Sequence, residues 1–442
     1  MHKPKKRLSS FQIIILAFAG VILAGAFLLM LPAASKSGSW TSFSDALFTS
    51  TSAVCVTGLV VQDTATYWSY FGQGLILFLI QIGGIGVIAV ALFIAALSGR
   101  KLSLMQRTAL QDSISAPTVG GADHLSRFAI VSIFLIEFIG VLCLLPAFCS
   151  EFGASGIWMA FFHSISAFCN AGFDLMGSRS GKFSSLTALG KNPAVVIPIC
   201  LLVIIGGIGF LTWSDIKKHK FRFKRYRLQS KVALVTSAVL IIGPMLWMFL
   251  AEYTDGPLSD RLCLSLFQAV TPRTAGFNTA DLSALTGIGR MMFIFLMLVG
   301  GSPGSTAGGM KTTTIAVLWA NATTVFKRRK NAEMFGRRID DGTVKSASTI
   351  LVLYLFLALT GASVISAVEG LPFEPCLFET GSAVATVGLS LGLTPTLGAV
   401  SRIILIALMF LGRVGGLTLI YAAAFGRNAE VSKSPEEKIT VG

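Results

Sequence analysis

"LFTSTSAVCVTGL" (residues 47–59) starts beside an aromatic, allows a turn or two of helix, and closes on Thr57, Gly58 and Leu59. Three later stretches repeat that form: "FFHSISAFCNAGF" (161–173), "LFQAVTPRTAGF" (266–277) and "LFETGSAVATVGL" (377–389). Each ends on a small residue, a glycine, and Leu or Phe. The glycines Gly58, Gly172, Gly276 and Gly388 stand 114, 104 and 112 residues apart, and the third copy is one residue shorter between Phe267 and its glycine. Recurrence at this period predicts four tandem copies of one unit.

Each stretch lies between two long apolar runs. The eight runs fall near 11–31, 73–97, 128–148, 193–213, 232–251, 290–320, 347–367 and 401–424, and each is long enough to cross a bilayer. The four segments between their pairs, 43–54, 157–169, 259–271 and 373–385, are too short to cross. A half-helix that enters and leaves on one face is a re-entrant loop, whose irregular backbone must line water or protein. The second run of each pair carries its own glycine motif: "IGGIG" (82–86), "IGGIG" (205–209), "VGGSPG" (299–304) and "LGRVGG" (411–416). Two features recurring in step predict an all-helical polytopic membrane protein, with four span–pore-loop–span repeats around a pseudo-four-fold axis. The expected boundaries are 11–100, 125–216, 231–325 and 345–426, flanked by cytoplasmic segments 1–10 and 427–442. The GGIG glycines Gly83, Gly84, Gly86, Gly206, Gly207 and Gly209 are expected to let helices approach closely.

Composition agrees: 53% of the 442 residues are hydrophobic, 13% are charged, and the mean hydropathy is +0.75. A net charge of +15 would suit nucleic acid, but the distribution argues otherwise. Of 36 Lys and Arg, 26 lie in 1–10, 98–127, 214–231, 326–346 and 424–442, in every second connection. That is the positive-inside pattern, and it puts both termini in the cytoplasm. Seven cysteines without a C-x-x-C read as small buried residues. No paired-acid, Ser-His-Asp or His-cluster constellation points to an enzyme. "NAT" (321–323) sits at a cytoplasmic span end, where glycosylation is not expected.

The chemistry that needs such glycines is ion dehydration. Consecutive backbone carbonyls replace a cation's water shell if they point into one narrow tube. They point the same way only when the dihedrals alternate in handedness, which glycine permits. The expected filter is Val56, Thr57, Gly58, Asn170, Ala171, Gly172, Thr274, Ala275, Gly276, Thr386, Val387 and Gly388. The half-helix C-termini, partly negative, would face its centre.

"GGSPGSTAGGMKTTT" (300–314) cannot form a stable helix in mid-membrane. It fails as a phosphate loop, because Met310 separates Gly309 from Lys311 and no strand precedes it. It reads as a broken inner helix whose loop plugs or gates the pathway: Gly300, Gly301, Ser302, Pro303, Gly304, Ser305, Thr306, Ala307, Gly308, Gly309 and Lys311. Arg413, level with Gly84 and Gly207, either pairs with this loop and repels cations or is a structural arginine beside a buried acid. Arg273 and Glu379 are expected in scaffold ion pairs, and His163 as a satisfied half-helix residue. Asp45, Asp63, Asp174 and Asp281 either concentrate cations at the mouth or are solvated.

Together "SAVCVTGL", "FCNAGF", "TPRTAGFNT", "SAVATVGLS", "GGSPGSTAGGMKT" and "GRVGGLT" resemble the Trk/Ktr/HKT superfamily of cation transporters over nearly the whole chain. In length and span number the chain is most similar to the KtrB potassium-translocating subunits of bacterial Ktr systems. The resemblance implies potassium as the ion at the filter and sodium as a stimulating ion. It also implies a homodimer in the lipid bilayer of the plasma membrane and a cytoplasmic KtrA-like ring that binds ATP or ADP, with no nucleotide on this chain and no nucleic-acid partner. Plant relatives that carry sodium have serine at the first filter position, whereas glycine fills all four here. The loop and Arg413 become the gate, and segments 214–231 and 326–346 contact the ring or anionic lipid. The competing expectation is a sodium-conducting or poorly selective monovalent cation transporter.

Overall fold

Among the described residues, four helices are long and apolar enough to cross a membrane: Phe11–Met30, Leu125–Phe152, Leu228–Ala251 and Asp341–Glu369. The computed structural model describes residues 10–87, 90, 119–416 and 418. The expected segments 1–10 (up to Ser10) and 427–442, and the basic residues Arg100, Lys101 and Arg107, lie outside these.

Each long helix packs on the short helix that follows it: Phe43–Val54, Ser155–Phe168, Leu258–Val270 and Phe373–Val384. These hold 12, 14, 13 and 12 residues. At 1.5 Å per residue they reach about 18–21 Å, well short of a bilayer core of about 30 Å. The first is started by Ser42, whose side chain accepts from the Asp45 amide at 3.2 Å. The third ends where Pro272, with no N–H, follows Thr271.

A second helix completes each unit: Tyr70–Ile85, Pro193–Gly207, Gly287–Leu298 and Ala399–Val414. Each packs against the short helix of the next unit, and the fourth packs against the first, Phe43–Val54, so the order is cyclic. Polar links join the seams. Trp158 donates to Gln73 at 2.9 Å, and Lys191, Arg290 and Arg402 pair with Asp260, Glu374 and Asp45 at 3.6, 2.6 and 2.8 Å.

These second helices differ from the continuous spans expected for 73–97, 193–213 and 401–424. Helices end at Gly86, at Ile208 and Gly209, and at Gly415, with glycine φ of 98°, 92° and 90°. After the second break the chain turns by 97° into Phe210–His219. The third unit breaks into the loop 300–311 and resumes as Thr312–Phe326. Close approach holds for part of the glycine motif. A Cβ at Gly83, Gly206 or Gly412 would run into the carbonyl oxygen of Val54, Phe168 or Val384, each in the same unit's short helix. Gly86 has nothing within 4 Å of such a Cβ and serves as a break. One two-stranded antiparallel hairpin, Glu333–Met334 with Arg337–Arg338, is added to the helical fold.

Polarity is arranged inside out. Phe27, Phe134, Leu250 and Val352 are exposed, while Ser50, Ser52, Thr57, His163, Asn170, Thr271, Thr274, Ser382 and Thr386 are buried. In water such an outer face would be costly, and in lipid it is matched. The chain is a multi-pass membrane protein.

Candidate functional site

After each short helix the chain turns through a residue of positive φ, one whose φ is not positive, and a glycine of positive φ. The first positions are Val56, Asn170, Thr274 and Thr386, with φ of 56°, 59°, 67° and 52°. The glycines Gly58, Gly172, Gly276 and Gly388 have φ of 96°, 70°, 77° and 94°. Handedness therefore alternates over three residues in every copy, with one more left-handed position per copy than glycine content advertises.

The four turns meet. A Cβ on Gly58 would lie 2.6 Å from the Ala171 oxygen, and one on Gly172 would lie 3.0 Å from the Ala275 oxygen. A Cβ on Gly276 would collide with the Val387 oxygen, and one on Gly388 with the Thr57 oxygen. Each glycine thus abuts the carbonyl that precedes the next copy's glycine, around a closed ring of four. The hydroxyls of Thr57 and Thr386 are buried there with no hydrogen-bond partner among the described residues.

The loop 300–314 lies directly against these turns. Thr306 Oγ1 donates to the Phe168 oxygen at 3.0 Å and to Asn170 Oδ1 at 3.4 Å. A Cβ at Gly308 would run into Thr386 Oγ1, and one at Gly309 would lie 2.9 Å from the Ala385 oxygen. The loop's shape is held by backbone bonds: Gly300 N–H to the Met310 oxygen at 2.8 Å, Thr312 N–H to that of Gly301 at 3.0 Å, and Ser302 N–H to that of Gly207 at 2.8 Å. Pro303 and Gly304 reach the second unit's break, where the Phe210 amide donates to the Gly304 oxygen at 2.7 Å. Ser302 and Thr312 hydroxyls bond at 2.9 Å, and Ser305 Oγ has no partner among the described residues. Lys311 Nζ donates to the oxygens of Ala307 and Gly308 at 2.9 and 3.3 Å. Arg413 donates from one Nη to the Thr306 oxygen at 2.6 Å and from the other to the Gly83 oxygen, tying the loop to the fourth and first units. Both of these partners are backbone carbonyls, one in the loop and one in the first unit. Beneath the loop lies a cavity of about 310 Å³, with Phe18, Gly86, Phe210, Ser305, Lys311 and Arg413 in its wall.

Five other polar residues singled out in the sequence are engaged within the protein. His163 is buried with both ring nitrogens engaged, by the Met159 oxygen at 2.7 Å and the Leu175 amide at 3.3 Å. Arg273 and Glu379 are held by hydroxyls where ion pairs were expected. Arg273 donates to Ser237 Oγ at 3.0 Å, and Glu379 accepts from Ser390 and from Thr394 at 2.8 Å. Asp45 is spent on Arg402, and Asp63 accepts from the Thr66 and Phe183 amides. The link from Thr306 to Asn170 was not visible in the sequence, because 136 residues separate the partners.

The family model described as cation transport protein, TrkH, matches residues 2–432. A potassium/sodium uptake protein, NtpJ, of Enterococcus hirae is 40% identical over 99% of this chain and 98% of its own. Ktr system potassium uptake protein B of Bacillus subtilis is 37% identical over 98% of this chain and 96% of its own. The crystal structure of the potassium transporter TrkH from Vibrio parahaemolyticus superposes with a TM-score of 0.73 at 20% identity, covering 95% of this chain and 86% of that one. The two folds are alike, and the chain belongs to the TrkH family of cation transport proteins.

Proposed function

We propose that this chain is the potassium-translocating subunit of a Ktr-type uptake system. The four span–pore-loop–span units surround one conduction axis, and the twelve residues from Val56 to Gly388 named above form its selectivity filter. The ring of four pre-glycine carbonyls carries this reading. A dehydrated monovalent cation needs oxygens on several sides, and neutral carbonyls supply them without binding it too tightly to leave. The unpartnered Thr57 and Thr386 hydroxyls would gain a partner in the ion or its water. Four helix C-termini aimed at the ring favour positive charge. The uptake functions for which the Enterococcus and Bacillus relatives are named support potassium as the ion.

Residues 300–314 and Arg413 then form the gate. Ions leaving the filter meet a loop that spans the pathway, with two cationic side chains behind it. Opening requires Arg413 to release the Thr306 oxygen and the loop to leave Asn170 and Thr386. The partners of this reading are a second copy of the chain and a nucleotide-binding ring facing cytoplasmic loops, the side on which positive charge accumulates.

Rescue of a potassium-uptake-deficient bacterium at low external potassium tests the function, and no rescue by well-inserted protein removes it. Rubidium uptake by Gly388→Ser tests the filter. Loss of preference over sodium is expected, and an unchanged preference counts against the assignment. The sodium-conducting reading is kept because a 40% identical relative is named for both ions. Sodium influx equal to rubidium influx in the unaltered protein would establish it.

A further inference from the structure

Each short helix places a hydroxyl side chain in its last turn or C-cap, five or six residues ahead of its glycine. Ser52, Ser166 and Ser382 precede Gly58, Gly172 and Gly388 by six residues, and Thr271 precedes Gly276 by five in the copy that is one residue shorter. All four are buried, none more than 1% exposed. Their backbone oxygens do one job in common. They accept from the amides of Thr57, Ala171 and Val387 at 2.8 Å each, and from that of Ala275 at 2.9 Å. Their side chains do a second job, and here the copies divide. Ser52 Oγ and Ser382 Oγ accept from the amides of Gly58 and Gly388, both at 3.0 Å. Ser166 Oγ donates to the Phe173 oxygen at 2.7 Å, and Thr271 Oγ1 donates to the Phe277 oxygen.

Peptide planarity gives this division a consequence. The Gly58 N–H shares a plane with the Thr57 carbonyl and points the opposite way across a trans bond. Anchoring that N–H outward on Ser52 therefore turns the Thr57 oxygen toward the ring. Ser382 does the same for Val387 through Gly388. In the other two copies the hydroxyl holds the carbonyl one residue beyond the glycine and draws it away from the axis, which ends the row of inward oxygens.

We propose that Ser52, Ser166, Thr271 and Ser382 are positioning residues that set the preference of the carbonyl ring for a potassium-sized over a sodium-sized cation, by fixing which peptide planes face the axis. The proposal rests on the filter reading above. Four separate segments place a buried hydroxyl at one position, and each hydroxyl holds a peptide group at or just beyond its glycine, whereas general helix capping would need only the backbone contact.

The test is the ratio of rubidium to sodium uptake in proteoliposomes, normalised to reconstituted protein. Ser52→Ala and Ser382→Ala remove an acceptor, and Thr271→Val removes a hydroxyl at constant shape. Each should lower the ratio by about tenfold, the scale of one lost hydrogen bond. Thr271→Ser, which keeps the hydroxyl, should restore it. Gly388→Ser is the control. If it lowers the ratio while the hydroxyl variants leave it unchanged, or lower both fluxes equally, the positioning role falls and the filter stands. If Gly388→Ser leaves the ratio unchanged, the filter reading falls first. Should either serine variant fail to insert, the isosteric Thr271 pair decides alone.

Discussion

Val56, Thr274 and Thr386 are β-branched residues held at positive φ, a conformation that costs about 1–2 kcal/mol each. Such strain persists only where the surroundings impose it, and here two left-handed positions per copy aim successive carbonyls. The glycine half of this design was legible in the sequence, since glycine advertises the left-handed region. The other half was not, because Val and Thr carry no such signal. Gly276→Ala shows what the ring tolerates. Its Cβ would collide with the Val387 oxygen and sit 3.1 Å from Gly172 Cα, at φ 77°. Rubidium uptake should fall at least tenfold with the protein still in the membrane, and normal uptake would show that the turns do not meet in the working transporter. Asp174, in the connection after the second turn, makes a pH prediction. Burial raises its pKa to about 7, and Asp63 adds to the rise, against a Met176 amide bond that lowers it. The folded state therefore holds this proton more tightly than the unfolded chain. The stability it brings is complete below about pH 4 and is lost as pH rises through 7. The Tm should decline between pH 4 and 7, and Asp174→Asn should flatten that decline, as read by thermal unfolding in detergent.

The loop 300–314 was legible as an element, because five glycines and a proline exclude a helix. That its sister helices also end at their glycine motifs was not, since "IGGIG" reads equally as a packing surface. The structure shows Gly83 and Gly206 as contacts and Gly86 and Gly209 as breaks. Where the broken ends meet, the loop finds acceptors that intact helices would have used internally: the Gly206 oxygen takes the Thr306 amide at 3.2 Å, and the Gly207 oxygen takes the Ser302 amide. If the loop blocks the path, removing residues 304–309 should raise rubidium flux, and unchanged flux would deny it that role. Arg413→Gln should also raise flux, by several-fold. It frees the Thr306 oxygen and removes one of the two half-buried cations beside the loop, but Lys311 remains. A fall in flux would instead mark Arg413 as scaffold.

At the scale of the whole molecule, the proposed architecture has the chain close a ring from four units joined in a line, and the last seam joins residues 357 apart. Loop-closure entropy rises slowly with length, so this seam needs only modest extra stabilisation over the others. Arg402 supplies part of it. Its guanidinium reaches Asp45 in the first unit at 2.8 Å, while it also donates to the oxygens of Leu397 and Pro395 in its own. Asp45 in turn holds Gln62 at 3.1 Å. Both charges are largely shielded, at 22% and 15% side-chain exposure, so the pair is worth more than an open surface bridge, about 1–2 kcal/mol. Arg402→Met should lower the Tm by a few degrees, and Asp45→Asn by less. The double variant should lose less than the sum, because the two substitutions remove one interaction. Strict additivity in thermal unfolding would mean that the first and fourth units are not joined through this pair. The Arg290–Glu374 seam provides the comparison, since it joins the third and fourth units only 84 residues apart. If closure of the ring is what matters, breaking the Arg402 seam should depress cation flux more than breaking the Arg290 seam at equal loss of Tm.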